Sequence, residues 1–476
     1  MKLAPYKEYK DSGVPWLGRI PAHWSEKRAK YYFKEVDERS QTGEEEMLSV
    51  SHITGVTPRS QKNVTMFKAE SNVGQKHCQP GDLVINTMWA WMSALGVSNH
   101  AGIVSPAYGV YRPRSNQNYD NYYLDHLLRT EGYRSEYICR STGIRSSRHR
   151  LYPDKFLSMP VVCPSQEEQQ TIARFLKVKD RLFRKFIRNK RRLIELLKEQ
   201  KQNIINQAVT RGLDPSVKLK PSGVKWIGDI PEHWEVRHIR ACIEDYVAGI
   251  WGQEPESKNS AEHIVCIRVA DFDMRNLSIS QNKLTIRAVR QNAQKTRLLK
   301  GGDILMEKSG GGNAEPVGRV VYFNFDFPAV TSNFVTRLRP DSSVVKPRFL
   351  LFILSILQAT RRNVPSIKQT TGIQNLDERH YLSNNVALPS LEEQEALVSH
   401  IERETATIDQ TITRAEREIE LMREYRTRLI SDVVTGKVDV RGIEVLEVAE
   451  DELLALDEDL AETDDEITDE GGTNEA

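Results

Sequence analysis

The sequence predicts an α+β protein in which two α/β domains are joined by two long helices that form an intramolecular antiparallel coiled coil. Three observations predict this class: a short motif that occurs twice, a helix-start motif that occurs twice, and a coiled-coil spacing after each helix start. The length of 476 residues also leaves room for more than one core, since one domain takes about 150 residues.

The first duplicated segment, the HW motif, opens each domain. It reads SGVPWLGRIPAHW at residues 12–24 and SGVKWIGDIPEHW at 222–234, and nine of the 13 positions are identical. We expect each motif's tryptophan to anchor the domain's start in its core and each histidine to make local hydrogen bonds. The segments that follow are unlike each other, except for three fragments that occur in both: G-D-[LI] (81–83, 302–304), R-P (112–113, 339–340) and T-G-I (142–144, 371–373).

The second duplicated segment, the EEQ motif, begins a long helix in each copy. It reads VVCPSQEEQQ at 161–170 and VALPSLEEQE at 386–395. Ser165 and Ser390 are predicted N-caps, and Glu168 and Glu393 would each complete a capping box. Apolar residues then recur with the 4-3 spacing of a coiled-coil seam. The seam positions are Leu176, Asp180, Phe183, Ile187, Lys190, Ile194, Leu197, Lys201, Ile204 and Ala208, and then Ile401, Thr405, Ile408, Ile412, Ala415, Ile419, Met422, Arg426, Leu429 and Val433.

The charges of the two helices indicate what each seam packs against. Residues 167–211 hold 13 Lys/Arg and 5 Asp/Glu, whereas residues 392–436 hold 6 and 11. Opposite charges favour pairing of these two helices with each other. The basic helix could instead follow DNA phosphates. The predicted boundaries are 1–164 for the first domain, 165–211 for its helix, 212–389 for the second domain, 390–436 for its helix, and 437–476 for the C-terminal segment.

The net charge of +1 hides a strong asymmetry. Residues 444–476 contain 15 Asp/Glu and no Lys/Arg, so residues 1–443 carry +16. A body this basic attracts a phosphate backbone. The acidic, aromatic-poor tail is expected to be disordered, and we hypothesise that it mimics nucleic acid and restrains the basic body.

The search for catalytic chemistry is negative. The sequence contains no phosphate-binding or dinucleotide-binding glycine motif, no zinc-hydrolase or nucleophile-elbow motif, and no tetrapeptide typical of amino-methylating enzymes. Five scattered cysteines favour a reducing cytoplasm, and we expect neither a membrane span nor an export signal. The chain is therefore predicted to be non-catalytic, with no cofactor and no metal bound.

Two loops are the main candidates for reading bases. Residues 140–150, RSTGIRSSRHR, combine four arginines and a histidine; arginine can bind guanine O6 and N7, and serine hydroxyls suit base edges or phosphates. Their counterpart, KQTTGIQN at 368–375, is richer in amides, which suit adenine N6 and N7. A solvated basic loop is the open alternative for the first. The candidates in these loops are Arg140, Arg145, Ser146, Ser147, Arg148, His149 and Arg150, and then Lys368, Gln369, Thr370, Gln374 and Asn375.

Three weaker candidates complete the set. The segment KSGGGN contains glycines whose amides could approach phosphate, and they are flanked by Lys308, Ser309 and Asn313. In nucleotide-binding loops the lysine follows the glycines, whereas here it precedes them. Arg59 and Lys62 are equally compatible with phosphate contacts and with ordinary surface charge. The segment INTMWAWMS (85–93) could stack on bases, but a core position is the favoured interpretation.

Taken together, the two HW motifs, the two EEQ motifs and the two long helices resemble the specificity subunit of Type I restriction–modification systems. The resemblance covers residues 9–440. It implies two target-recognition domains, each reading one half of a bipartite asymmetric sequence in double-stranded DNA. It also implies two modification subunits docked on the helices, and restriction/translocase subunits in the full complex. Those partners would use S-adenosylmethionine, ATP and Mg²⁺ to methylate adenine, translocate DNA and cut it.

Three other functions stay open at this point. A stand-alone DNA-binding regulator with two readers would bind its operator without partner subunits. A cryptic nuclease or methyltransferase would be active as a single chain. A coiled-coil adaptor without a nucleic-acid role is disfavoured by the charge of +16.

Overall fold

The computed structural model describes residues 3–61, 71–115, 119–143, 149–255, 262–312, 314–370 and 373–443. The chain forms two compact units. Unit 1 is Met1–Asn189 together with Glu418–Ala476, and unit 2 is Lys190–Arg417. Each unit therefore contains part of both long helices, Gln166–Arg211 (α4) and Leu391–Val434 (α8).

Unit 1 contains twelve short strands and three short helices besides its shares of α4 and α8. The strands are Tyr9–Asp11 (β1), Arg19–Pro21 (β2), Ser25–Arg28 (β3), Phe33–Val36 (β4), Leu48–Ser51 (β5), Gly55–Pro58 (β6), Lys76–Cys78 (β7), Leu83–Ile85 (β8), Leu95–Val97 (β9), Gly102–Val104 (β10), Gly109–Pro113 (β11) and Pro160–Cys163 (β12). The helices are Asn121–Leu128 (α1), Glu131–Arg140 (α2) and Pro153–Leu157 (α3). These counts refer to the described residues.

Unit 2 has sixteen strands and three shorter helices among its described residues. The strands are Leu219–Pro221 (β13), Asp229–Pro231 (β14), Glu235–His238 (β15), Ile243–Ala248 (β16), His263–Ile267 (β17), Phe272–Asp273 (β18), Ser278–Ile279 (β19), Thr285–Ala288 (β20), Ile304–Glu307 (β21), Ser309–Gly310 (β22), Val320–Tyr322 (β23), Ala329–Thr331 (β24), Val335–Pro340 (β25), Ile367–Thr370 (β26), Ile373–Leu376 (β27) and Asn385–Leu388 (β28). The helices are Gln291–Arg297 (α5), Pro347–Ala359 (α6) and Glu378–Leu382 (α7).

The duplication in the sequence is a duplication of topology. Unit 1 has a four-stranded sheet of order β4-β11-β8-β9, and unit 2 has its counterpart, β16-β25-β21-β23. In each unit, the strand after the HW motif pairs with the strand at the start of the EEQ motif, as β3 with β12 and β15 with β28. The α+β class predicted from the sequence is therefore confirmed for both units.

The shared G-D-[LI] and R-P fragments meet inside these four-stranded sheets. The Arg112 guanidinium donates two hydrogen bonds to the buried Asp82 carboxylate, at 2.9 and 3.0 Å. Arg339 does the same to Asp303, at 2.8 Å for both bonds. Bidentate pairs of this kind are strong and directional, and these raise the pKa of both guanidiniums. The two fragments thus form one ion pair between neighbouring strands in each unit.

The serine N-caps are confirmed, but the capping boxes are not formed as predicted. The hydroxyls of Ser165 and Ser390 accept the N–H groups of Glu168 and Glu393, each at 3.3 Å. The Glu168 carboxylate, however, accepts hydrogen bonds from the side chains of the first HW motif instead of turning back to its own helix start. The expectation of local partners for the two histidines is therefore wrong as well.

The glutamine of each EEQ motif connects α4 or α8 to the start of an earlier helix of the same domain. Gln169 accepts the N–H of Asp120, the N-cap of α1, at 2.8 Å and donates to the Pro164 carbonyl at 3.1 Å. Gln394 accepts the N–H of Lys346, the N-cap of α6, at 2.7 Å. Both glutamine side chains are buried. The motif therefore joins each helix start to its domain through a fixed set of polar contacts.

The two long helices pair within each unit. In unit 1, Asp180 of α4 binds Arg426 of α8, and the rings of Phe183 and Tyr425 meet edge to face at 5.8 Å. Nearer the start of α4, Glu168 lies 3.8 Å from Arg441, which follows the end of α8. The helices of this unit therefore run in opposite chain directions.

The helices also run in opposite directions in unit 2, where a side chain on Gly212, after the end of α4, would lie 3.7 Å from the Glu393 carboxylate at the start of α8. The Lys201 ammonium lies 2.8 Å from both carboxylate oxygens of Asp409, and it also donates to the Arg275 carbonyl at 2.9 Å. Arg275, in the turn between β18 and β19, forms an ion pair with Glu416 at 2.7 Å. None of the predicted seam residues is exposed. Within the described residues, no helix has the length and apolar composition needed to cross a membrane.

Candidate nucleic-acid interface

In unit 1, the arginine-rich segment forms a loop whose ends are hydrogen bonded to each other. Thr142 and Arg150 exchange both backbone hydrogen bonds, at 3.1 and 2.9 Å. The next residue, Leu151, donates its N–H to the carbonyl of Thr87 at 2.9 Å. We call residues 142–150 loop 1. Arg145, Ser146, Ser147 and Arg148 lie outside the described residues, and His149 and Arg150 end the loop.

In unit 2, the amide-rich segment forms a β-hairpin. Strands β26 and β27 pair Lys368 with Asn375 and Gln369 with Gln374, and the pairing ends with Thr370 opposite Ile373. We call residues 367–376 loop 2. Ser309 and Gly310 of β22 add a third strand opposite Asn375 and Gln374. The structure therefore brings together two candidate segments that are about 60 residues apart in the sequence.

Loops 1 and 2 occupy the same position in the two domain frames. Leu376 donates its N–H to the Lys308 carbonyl at 2.8 Å, as Leu151 does to Thr87. Both leucines precede the N-cap serine of the EEQ motif by 14 residues, and both acceptors follow the glycine of G-D-[LI] by six residues. The two loops are therefore attached to their domains at equivalent positions.

Loop 2 is held by its own polar groups, which limits what it can present. Ser309 donates to the Asn375 side-chain carbonyl at 2.6 Å, and Lys368 pairs with Asp377 at 2.6 Å. The Lys368 ammonium thereby lowers the pKa of the Asp377 carboxyl. Gln374 is only 6% exposed and its side-chain carbonyl accepts the N–H of Val317 at 3.2 Å. As a base reader, Gln374 is therefore a wrong assignment, because its amide supports the sheet.

A buried ion pair lies under the third strand of this sheet. Glu307 is the last residue of β21, and its carboxylate accepts from the Arg319 guanidinium at 2.9 and 3.0 Å. These bonds raise the pKa of Arg319. A side chain at Gly310 would come within 2.9 Å of the Glu307 carboxylate, so glycine lets β22 pass directly over this pair. The pair fixes the backbone that carries Lys308 and Ser309.

The other candidates lie apart from these loops or are engaged internally. Arg140 ends α2 and forms an ion pair with Glu136, and it also donates to the Ser158 hydroxyl at 3.0 Å. The Arg140 guanidinium therefore stabilises α2, and its internal partners limit its contacts with a ligand. Arg59 begins a short turn after β6 and is half-buried. Lys62 and Asn313 lie outside the described residues.

Large apolar side chains are exposed beside both loops, and the sequence analysis considered only those beside loop 1, for which it favoured a core position. Met88 and Trp89 follow the Thr87 acceptor and are 36% and 37% exposed, so their predicted core position is wrong. In unit 2, the carbonyl of Phe334 accepts the N–H of Lys308 at 2.9 Å, and the Phe334 side chain is 47% exposed. An apolar run after a buried strand normally indicates a core, and no signal in the sequence marks Phe334.

Metal chemistry has no visible basis in the part of the chain that the structure describes. There, no three His, Cys, Asp or Glu side chains are grouped so that they could hold a metal ion. The polar groups of both loops are instead donors and acceptors of the kinds that read base edges and phosphates.

Comparisons with known proteins agree on one family. A model of the Type I restriction modification DNA specificity domain matches residues 265–421. The StySPI Type I restriction enzyme specificity subunit of Salmonella potsdam is 24% identical over 339 residues, which is 69% of each chain. The MjaX specificity subunit of Methanocaldococcus jannaschii is 25% identical over 335 residues, 69% of this chain and 71% of that one.

A solved structure has the same fold. It comes from work on the assembly and conformational transition of the type I R-M system and has 16% sequence identity with this chain. The superposition covers 88% of this chain and 99% of the other, with a TM-score of 0.64. Together with the duplicated motifs and the duplicated domain frame, these matches show that residues 265–421 form a Type I DNA specificity domain and that the chain is similar to Type I specificity subunits over 69% of its length.

Proposed function

We propose that this chain recognises DNA sequence for a Type I restriction–modification complex, with each domain reading one half of a bipartite, asymmetric target. The observation that carries the proposal is the equivalence of loops 1 and 2. One backbone contact holds both loops, yet loop 1 carries arginine, serine and histidine, while loop 2 carries lysine, glutamine, threonine and asparagine. Equal frames with unlike side chains are what two readers of different base sequences need.

The long helices support a second role, which is to set the distance between the two readers. In this proposal α4 and α8 form one antiparallel coiled coil with a domain at each end. The pairs Asp180–Arg426 and Lys201–Asp409 are polar contacts that contribute to its register. A helix of 46 residues spans about 70 Å at 1.5 Å per residue, long enough to place readers on half-sites about one DNA turn apart.

The chemistry would then belong to partner subunits. Two modification subunits would dock on the helices and use S-adenosylmethionine to methylate adenine, and restriction/translocase subunits would use ATP and Mg²⁺. The chain itself would position the complex on its target, because its basic body would bind the phosphates and its two loops would contact the base edges. In this arrangement the specificity subunit itself is non-catalytic.

Mapping methylated adenines in the host genome tests the proposal. The proposed function predicts a two-part motif with an unspecified spacer whose methylation disappears when this chain is deleted and returns when it is restored. A stand-alone regulator predicts an unchanged methylation map and tight operator binding by the purified chain alone. Methyl transfer or cleavage by the purified chain alone would instead identify it as an enzyme.

A further inference from the structure

Large apolar side chains are exposed beside the two loops. Single exposed apolar side chains are common on protein surfaces and by themselves carry no meaning. Here, however, such a residue lies beside the equivalent loop in both domains. Trp89 is two residues from the carbonyl that holds loop 1, and the Phe334 carbonyl binds the residue that holds loop 2. The pairing of loop and exposed ring therefore occurs twice.

The backbone that carries each ring is held by hydrogen bonds. The Trp89 N–H donates to Asn86 at 3.0 Å, and its carbonyl accepts from Met92 at 3.0 Å and from Ala94 at 3.2 Å. Ser93 has a left-handed backbone with φ of 62°, which closes this turn. A rigid backbone lowers the conformational entropy that is lost when an exposed side chain binds a partner.

The turn that carries Phe334 is fixed in a similar way. The Ser332 N–H donates to the Ile267 carbonyl at 2.8 Å, and the Val335 N–H donates back to Ser332 at 3.0 Å. The Phe334 carbonyl itself is bound by Lys308. The ring therefore leaves the domain from a turn that is hydrogen bonded on both sides.

The chemistry next to each ring identifies the partner. Loop 1 supplies Arg150 and His149; in unit 2, Lys308 directly precedes β22, and Lys368 lies in β26, where it pairs with Asp377. Cations beside an exposed aromatic ring fit a duplex, because the charges bind phosphates while an apolar ring enters or stacks on a base step.

We propose that Trp89, with Met88 beside it, and Phe334 act on base steps in the first and the second half-site respectively, by insertion or stacking. This inference rests on the proposed function and adds to it a deformation of the DNA at two places. Sequence would then be read in two ways, through base edges by the loops and through the ease of unstacking at the steps the rings enter.

The test uses the complete complex with its modification subunits and a duplex that carries the mapped target. 2-Aminopurine, which brightens when it is unstacked, replaces single adenines other than the one that is methylated. The expected result is one bright step in each half-site for the wild-type complex. W89A should remove only the signal in the first half-site, F334A only that in the second, and each should weaken binding about 10- to 100-fold.

Matched variants keep this test decisive. W89F and F334W retain a ring and should retain the signals. Tyr31 is exposed in unit 1 on a different turn, so Y31A should change neither signal nor affinity. Unchanged melting temperatures will show that the substitutions leave the fold intact.

The outcomes separate this inference from the proposed function. Wild-type binding without a bright step, or W89A and F334A complexes that keep both signals and full affinity, would overturn the role of the rings while leaving sequence recognition intact. A loss of assembly with the modification subunits in W89A, with unstacking preserved, would also overturn it. A wild-type complex that does not bind the mapped target would instead remove the proposed function.

Discussion

Trp24 donates its indole N–H to the carboxylate of Glu168 at 3.1 Å, although the two residues are 144 positions apart. Trp234 and Glu393 repeat the contact at 3.1 Å. The histidine before each tryptophan binds the other carboxylate oxygen of the same glutamate, at 2.7 and 2.9 Å. The HW and EEQ motifs are therefore two halves of one joint, which connects the start of a domain to the start of the helix that follows it.

This joint should contribute measurably to stability. Replacing Glu168 with glutamine keeps its size but removes a charged acceptor from the hydrogen bonds of Trp24, His23 and Tyr6. Hydrogen bonds to a charged group contribute about 1.5–3 kcal/mol, so we expect E168Q to lower the free energy of unfolding by about 2 kcal/mol. Urea unfolding followed by tryptophan fluorescence measures it.

The neighbouring residue provides the control. Glu167 lies in the same first turn of α4 but is exposed, so E167Q removes the same charge from the helix start without touching the joint. Its cost should stay within about 0.3–1 kcal/mol, the size of a helix-dipole interaction. Equal costs for E167Q and E168Q would mean that the joint contributes no more than a helix-dipole interaction.

The seam contact between Asp180 and Arg426 should make the stability of unit 1 depend on acid pH. Burial by itself raises the pKa of Asp180, but Arg426 and Arg184 outweigh it and hold the pKa below its ordinary value of 3.8. A lowered folded-state pKa means that the contribution is complete above pH 3.8 and is lost as the pH falls through the folded value. Urea midpoints of wild type and D180N should therefore converge below pH 3.8; curves that stay parallel would contradict this.

Helix length should set the spacer between the half-sites. Four residues inserted into both α4 and α8 lengthen the proposed coiled coil by about 6 Å, close to the rise of one or two base pairs. We expect the methylated motif to gain a spacer longer by about that amount while both half-sites keep their sequences. The insertion variant's methylation map checks this, and altered half-sites with an unchanged spacer would refute the proposed role of the helices.

Removal of the acidic tail should strengthen non-specific DNA binding. Residues 444–476 carry −15 and lie outside the described residues, so this prediction depends on charge alone. Deleting them should tighten binding to random-sequence duplex at low salt and steepen its salt dependence, because more cations become available to phosphates. Titration of the full-length and truncated proteins with fluorescent DNA measures both quantities. Identical curves would show that the tail does not compete with DNA for the basic residues of the rest of the chain.

The large-scale plan could be predicted from the sequence because it depends on periodic and repeated signals. The 4-3 spacing predicted which residues of α4 and α8 lie at the seam, and the serine N-caps predicted where both helices start. Partners that depend on tertiary contact could not be predicted this way. Glu168 satisfies the local capping rule in sequence, but in the folded chain its carboxylate is hydrogen bonded to the side chains of Trp24 and His23.

The candidate interface could also be predicted only in part from the sequence. The correspondence of residues 140–150 and 368–375 follows from the shared T-G-I fragment, and the structure gives it a physical basis in the bonds of Leu151 and Leu376. The exposure of Trp89 could not be predicted, because an apolar run after a buried strand normally continues the core. Likewise, Gln374 has the right side chain for adenine, and only the fold shows that this side chain is buried.

Exchanging the loops one at a time is the most direct measurement of the central claim, that two equivalent elements read two halves of one target. One set of variants replaces the tip of loop 1 (143–149) with other sequences, and a second set replaces the tip of loop 2 (370–373). The methylated adenines are then mapped for each variant. The account predicts that each exchange changes or abolishes one half-site and leaves the other half-site and the spacer as they were. Exchanges that leave both half-sites intact, or that alter both at once, would contradict it.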